Sequence, residues 1–121
     1  MLRPLLAAAL LAVLALPVAA SGSPIVPQLS ANVTAKSITL VGADGKKVRV
    51  LQPNTYRIVV RDRTTAQNFH LVGPGLNTKT KIAGKTTATW RVYLQSGSYS
   101  YRSDRNARLR GTFVVAGSPP A

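Results

Sequence analysis

Across residues 36–116 the chain is cut into short runs, each rich in β-branched and aromatic residues and most closed by a turn signal. No other feature constrains the fold as much, because it leaves no window with helical period and asks for many short strands. The runs are "KSITLV" (36–41), "KKVRVL" (46–51), "TYRIVVRD" (55–62), "QNFHLV" (67–72), "TKTKIA" (78–83), "TATWRVYL" (87–94), "SYSYRS" (98–103) and "TFVVA" (112–116). Gly42-Ala43-Asp44-Gly45 separates the first two as a hairpin signal, and Gly73-Pro74-Gly75 follows the fourth as a turn. Tyr56, Ile58 and Val60 alternate with Arg57 and Arg61, so one face of that strand is buried and the other wet. Trp90, Val92 and Leu94 alternate likewise, as do Tyr99 and Tyr101, and Phe113 and Val115. "TKTKIA" is short and basic, as suits an edge strand. About eight strands bury their apolar faces by packing as two sheets. The expected fold is all-β: a two-sheet antiparallel Greek-key β-sandwich, with Trp90, Tyr56, Phe69 and Phe113 in its core.

Residues 1–20, "MLRPLLAAALLAVLALPVAA", open on a basic residue, run through an apolar stretch and end on small residues. That is the pattern of a signal peptide. Its apolar stretch, residues 5–16, is shorter than the roughly 20 residues a membrane-spanning helix needs. Residues 21–35 mix Ser, Pro and small residues and are expected to form a linker or loosely ordered N-terminal segment. Residues 36–117 are the domain and 118–121 a tail. Asn32-Val33-Thr34 matches the N-glycosylation pattern, a three-residue match that chance readily supplies. The mature chain has no further segment apolar enough to cross a membrane and is expected to be exported, secreted or periplasmic. With no cysteine, no disulfide staples it, and the fold rests on its core.

The charge balance is one-sided, with 16 Lys and Arg against 3 Asp and no Glu. Once Arg3 leaves with the leader, fifteen cations against three carboxylates give a net charge of +12. Such a field attracts anionic partners. Arg102, Arg105, Arg108 and Arg110 crowd one loop, and Arg61 and Arg63 precede another. Guanidinium groups take carboxylate and phosphate in forked pairs, so these six are the candidate anion-binding residues. The partner classes are an anionic polymer, a lipid headgroup or an acidic protein surface. Nucleic acid ranks behind these: Tyr99 and Tyr101 are better placed for the core than for stacking on bases.

"TYRIVVRD", "QNFHLVGPG", "TWRVYLQSGSYSY" and "RGTFVV" together give the domain a family likeness. It resembles the cupredoxins, the plastocyanin-like copper proteins. Small secreted members show His-Asn-Phe-His-Leu before Gly-Pro-Gly, then Gly-x-Tyr-x-Tyr-x-Cys, a later His and Met, and Gly-x-Phe. The resemblance places the first His at Gln67, the Cys at Ser103, the second His at Asn106 and the Met at Leu109. All four ligands are replaced, while Asn68, Phe69, His70, Leu71 and Gly111 match. A blue-copper centre needs a thiolate and two imidazoles, with a thioether as weak axial ligand. A serine hydroxyl does not ionise near neutral pH and cannot take the thiolate's place. The resemblance therefore implies a degenerate member with no metal and no cofactor, its former ligand end closed by a neutral cluster of Gln67, Ser103 and Asn106 with Leu109 as an apolar plug. The competing reading is a copper electron carrier, as in the parent family.

His70 is the sole histidine. Gln67, Phe69 and Leu71 share one face of their strand, so His70 is expected on the other, with Asp distant and no metal site around it. Ser103, His70 and an Asp would echo a hydrolase triad, but nothing in the sequence brings them together. Gly73-Pro74-Gly75 lacks the Lys and the following helix of a phosphate loop. No enzymatic activity is expected.

Overall fold

The computed structural model describes residues 25–120. The proposed leader and residues 21–24 lie outside the described residues. The strands are β1 (Gln28–Val33), β2 (Ile38–Val41), β3 (Val50–Leu51), β4 (Asn54–Asp62), β5 (His70–Gly73), β6 (Leu76–Lys79), β7 (Thr86–Leu94), β8 (Gly97–Arg102) and β9 (Arg110–Val115). They form a four-stranded sheet, β2-β1-β4-β7, and a five-stranded sheet, β3-β9-β8-β5-β6. The chain repeatedly crosses between the sheets, as a Greek-key sandwich requires.

Three strands depart from the sequence expectation, one of them β6, which spans Leu76–Lys79 where a strand over 78–83 was expected. Residues 28–33, read as part of a linker, form β1 in the interior of the four-stranded sheet, with Leu29, Ala31 and Val33 buried. Their alternation was muted because one inward position is only an alanine. β1 runs parallel to β4, and β3 parallel to β9, so both sheets are mixed rather than wholly antiparallel. β3 is also shorter than "KKVRVL". The hairpin forms as expected around Gly45, whose φ of 78° suits a residue without Cβ. Val48 then donates its amide to Leu40 O at 3.0 Å, and by Val50 the chain has joined the other sheet beside Val114. A single run is thus shared between two sheets.

The sheets fill the core differently. The four-stranded sheet supplies mainly aliphatic groups: Leu29, Ala31, Val33, Leu40, Ile58 and Val60. The five-stranded sheet and the segment before β5 supply most of the rings, with Tyr56 the buried ring of the other sheet. Tyr99 stacks on Phe113 with centroids 5.2 Å apart, and Phe69 on Tyr101 at 5.5 Å. Gly111 lies opposite Tyr101 across β8–β9, and a Cβ there would come within 2.3 Å of the tyrosine ring. The Gly-x-Phe pattern thus makes room for one ring and supplies another. Trp90, expected in the core, is instead half-buried on β7 at the rim, 6.0 Å from Phe69. Tyr56 closes the start of β4 by donating its hydroxyl to Gln52 O at 2.8 Å, four residues back, as a tyrosine corner does.

Candidate functional site

β1, β4, β6 and β8 finish, and β5, β7 and β9 begin, at one end of the sandwich, which gathers the segments 34–37, 63–69, 80–85 and 103–109. Short side chains bend the second of these into place. Asp62 Oδ1 accepts the Thr64 amide at 3.1 Å, and Thr64 Oγ1 accepts the Ala66 amide at 2.9 Å. Gln67 then reaches inward. Its Oε1 accepts the Ser103 hydroxyl at 2.6 Å, while its Nε2 donates to Ala35 O at 3.3 Å. Both side chains are buried.

Ser103 also draws its own loop together. Its Oγ accepts the amides of Arg105 at 3.3 Å and Asn68 at 3.4 Å. Its amide donates to Leu109 O at 3.0 Å, and the Leu109 amide to Asn106 O at 3.0 Å. Backbone bonds therefore link 103, 106 and 109, and a side-chain bond ties 67 to 103. The side-chain cluster is smaller than expected. Asn106 turns its carboxamide to the Arg108 amide, at 3.0 Å, and serves its own turn rather than the Gln67–Ser103 pair.

A second network lies on the other side of the same strands. Asn68 is 1% exposed. Its Nδ2 donates to Thr80 O at 3.0 Å and to Asp104 Oδ2 at 2.9 Å, and its Oδ1 accepts the Asp104 amide at 2.7 Å. His70 Nδ1 lies 2.7 Å from Asp104 Oδ1, and Nε2 lies 2.6 Å from Asn77 Oδ1. Asp is thus not distant from His70, as the sequence reading had it, but in contact with it. Burial alone would push the Asp104 carboxyl up, yet hydrogen bonds from His70 and Asn68, with the charges of His70 and Lys79, hold it below its ordinary value. The Ser103 hydroxyl does not pair with His70: it goes to Gln67, and the His70 nitrogens go to Asp104 and Asn77.

The six arginines divide into three groups. Arg61 and Arg63 line a cleft with Asp62, Lys85, Thr86 and Thr87. Arg102 and Arg110 are cross-strand partners and share a basin with Lys47. Arg105 and Arg108 are exposed on the loop between them. Arg102 Nε stands 3.7 Å from Asp104 Oδ1. Asp62 Oδ2 is buried with no hydrogen-bond partner, and burial raises that carboxyl against the Thr64 amide and the nearby Thr80 hydroxyl.

The donors at this end do not fit a type 1 copper. Positions 67 and 103 offer a carboxamide and a hydroxyl bonded to each other, positions 106 and 109 a carboxamide engaged in its own turn and a leucine, and the chain has no cysteine. Among the described residues no three His, Cys, Asp or Glu side chains form a cluster able to hold a metal.

The two sheets and their loop-bearing end define a cupredoxin-like fold. The structure is similar to that of the copper protein rusticyanin, with a TM-score of 0.53 over 74% of this chain and 76% of that one, at 12% identity. No family model and no curated protein matches the sequence. Among the described residues no helix is long and apolar enough to cross a membrane.

Proposed function

We propose that this is an exported, non-catalytic cupredoxin-like domain that has lost its copper site and binds an anionic partner through its arginine-rich end. The observation that carries this reading is the 2.6 Å bond between Ser103 Oγ and Gln67 Oε1. Two positions that the family resemblance assigns to ligands satisfy each other, which supports the reading that the ligand set is gone. The same end keeps Arg61, Arg63, Arg102, Arg105, Arg108 and Arg110, with Asp62 and Asp104 the carboxylates beside them. The export part of this reading is supported by the signal-peptide pattern of residues 1–20.

The test is binding to a carboxylated or phosphorylated matrix as salt rises. The native chain is expected to bind at low salt and to elute progressively, since exposed charges are screened within about 10 Å at 0.1 M salt. A variant with all six arginines changed to Gln is expected to elute early. Equal retention of both proteins would show that general positive charge, not this end, is responsible.

A further inference from the structure

The outer face of the five-stranded sheet carries cations in register. Directly paired residues on antiparallel strands point to the same side. His70 pairs with Lys79 on β6 and with Arg102 on β8, and Arg102 pairs with Arg110 on β9. Leu71 and Tyr101, next to these in the chain, are buried, so the row faces out. The adjoining row is Asn77, Val72, Ser100 and Thr112. Lys47 comes in from beside β9: Lys47, Arg102 and Arg110 line one basin with Ser100 and Thr112. Neighbouring strands lie about 4.8 Å apart, so cations here recur at about that interval or twice it.

Little on this face opposes an anion. Asp62 is buried on the other sheet, Asp44 turns back to the Lys46 amide at 3.0 Å, and Asp104, partly exposed at the end of the row with Arg102 Nε 3.7 Å from its Oδ1, has both oxygens engaged by Asn68 and His70. The remaining features separate the candidate partners. Phe69, Tyr99, Tyr101 and Phe113 are buried, and the exposed Tyr93 is on the four-stranded sheet, so this face has no ring on which a base could stack. It has no aromatic anchor of the kind that centres a protein interface. Its exposed apolar groups are two valines, Val50 and Val114, away from the cations and too few to anchor in lipid. It does have small hydroxyl and amide groups beside the cations.

We propose that this face binds a linear uronic-acid polysaccharide laid across the strands, with its carboxylates on Lys47, Arg110, Arg102 and Lys79 and its hydroxyls on Thr112, Ser100 and Asn77. This rests on the anionic-partner reading above. It names the partner and moves the contact from the loop tip to the sheet.

The experiment measures affinity of the full chain for oligogalacturonate, for a single-stranded oligonucleotide of equal charge and for anionic phosphatidylglycerol vesicles, all at one ionic strength. Oligogalacturonate is expected to bind tightest. A Lys47→Gln/Arg102→Gln/Arg110→Gln variant, checked for native circular dichroism, is expected to bind it at least about ten-fold more weakly, since charge-assisted contacts are lost. Lys47→Gln alone, in an exposed turn, is expected to weaken it measurably and guards against misfolding of the triple variant. Arg57→Gln/Arg91→Gln, an exposed cross-strand pair on the four-stranded sheet, is expected to stay within about two-fold, because separated surface charges are screened. Oligonucleotide or vesicle binding as tight as oligogalacturonate overturns the polysaccharide while leaving the anionic reading intact. Uronate binding lost in the Arg57/Arg91 variant and kept in the basin variant overturns the site. No binding to any of the three polyanions overturns both.

Discussion

Asp62 and Asp104 stand at the same end of the sandwich in opposite surroundings. Asp62 is 2% exposed, accepts one amide through Oδ1 and leaves Oδ2 without a partner. Asp104 is partly open to water, yet both its oxygens are engaged, by Asn68 and by His70. Burial raises the first carboxyl, while its partners hold the second low. A buried charge without partners works against folding, whereas a well-bonded one fixes geometry. Asp104 fastens the 103–109 loop to β5 and to the segment before it; Asp62 chiefly shapes the turn that delivers Gln67.

The largest effect is expected from breaking the bonded side. Asn68→Ala removes two donated bonds and one accepted bond, and leaves Thr80 O and the Asp104 amide without this partner. A loss of about 3 kcal/mol in denaturant-measured stability is expected. Asp104→Asn keeps the shape but removes the charge, with a loss of about 1–2 kcal/mol at neutral pH. Its pH dependence is the sharper readout. Because the folded carboxyl is held below its unfolded value near 3.9, its contribution is present above that value and fades as pH falls through the folded one. The native protein should therefore lose stability below about pH 4 more steeply than the variant.

Asp62→Asn should act in the opposite sense. A raised folded carboxyl favours the fold at low pH and opposes it as pH climbs through that raised value. Removing the charge while keeping Oδ1 for the Thr64 amide is expected to stabilise the protein by about 1 kcal/mol at pH 7 and to do little at pH 3. Thermal melts at the two pH values measure it. The smallest effect belongs to Asn106→Ala, which removes one exposed bond within the loop and should cost no more than about 0.5 kcal/mol. A larger loss would place Asn106 inside the buried cluster after all.

The contrast also marks what could be read before the structure. Strong alternation with large side chains, as at Tyr56, Ile58 and Val60, identified strands directly. β1 escaped because Ala31 fills a fully buried position with a residue that signals no burial. The closeness of 67 and 103 followed from the family resemblance, which spans the sequence separation that local pattern cannot. The His70–Asp104 contact was available by one further step. If Ser103 faces inward with Gln67, alternation turns Asp104 outward, toward the side to which His70 was already assigned. Asp104 is one carboxylate among four arginines over residues 102–110, so composition there signals only positive charge. The division of the arginines into separate clefts depended on strand register, which composition does not specify.

We propose that Gln67, Ser103, Asn106 and Leu109 occupy the ligand positions of a cupredoxin-like fold that no longer forms a copper centre. The direct measurement is visible absorption on adding Cu(II) to the native chain and to the variant Gln67→His/Ser103→Cys/Asn106→His/Leu109→Met, each first checked for folding. The native chain is expected to show no intense visible band, and the folded variant to gain one from thiolate-to-copper charge transfer. An intense band in the native chain, or a folded variant that binds no copper, would contradict the account.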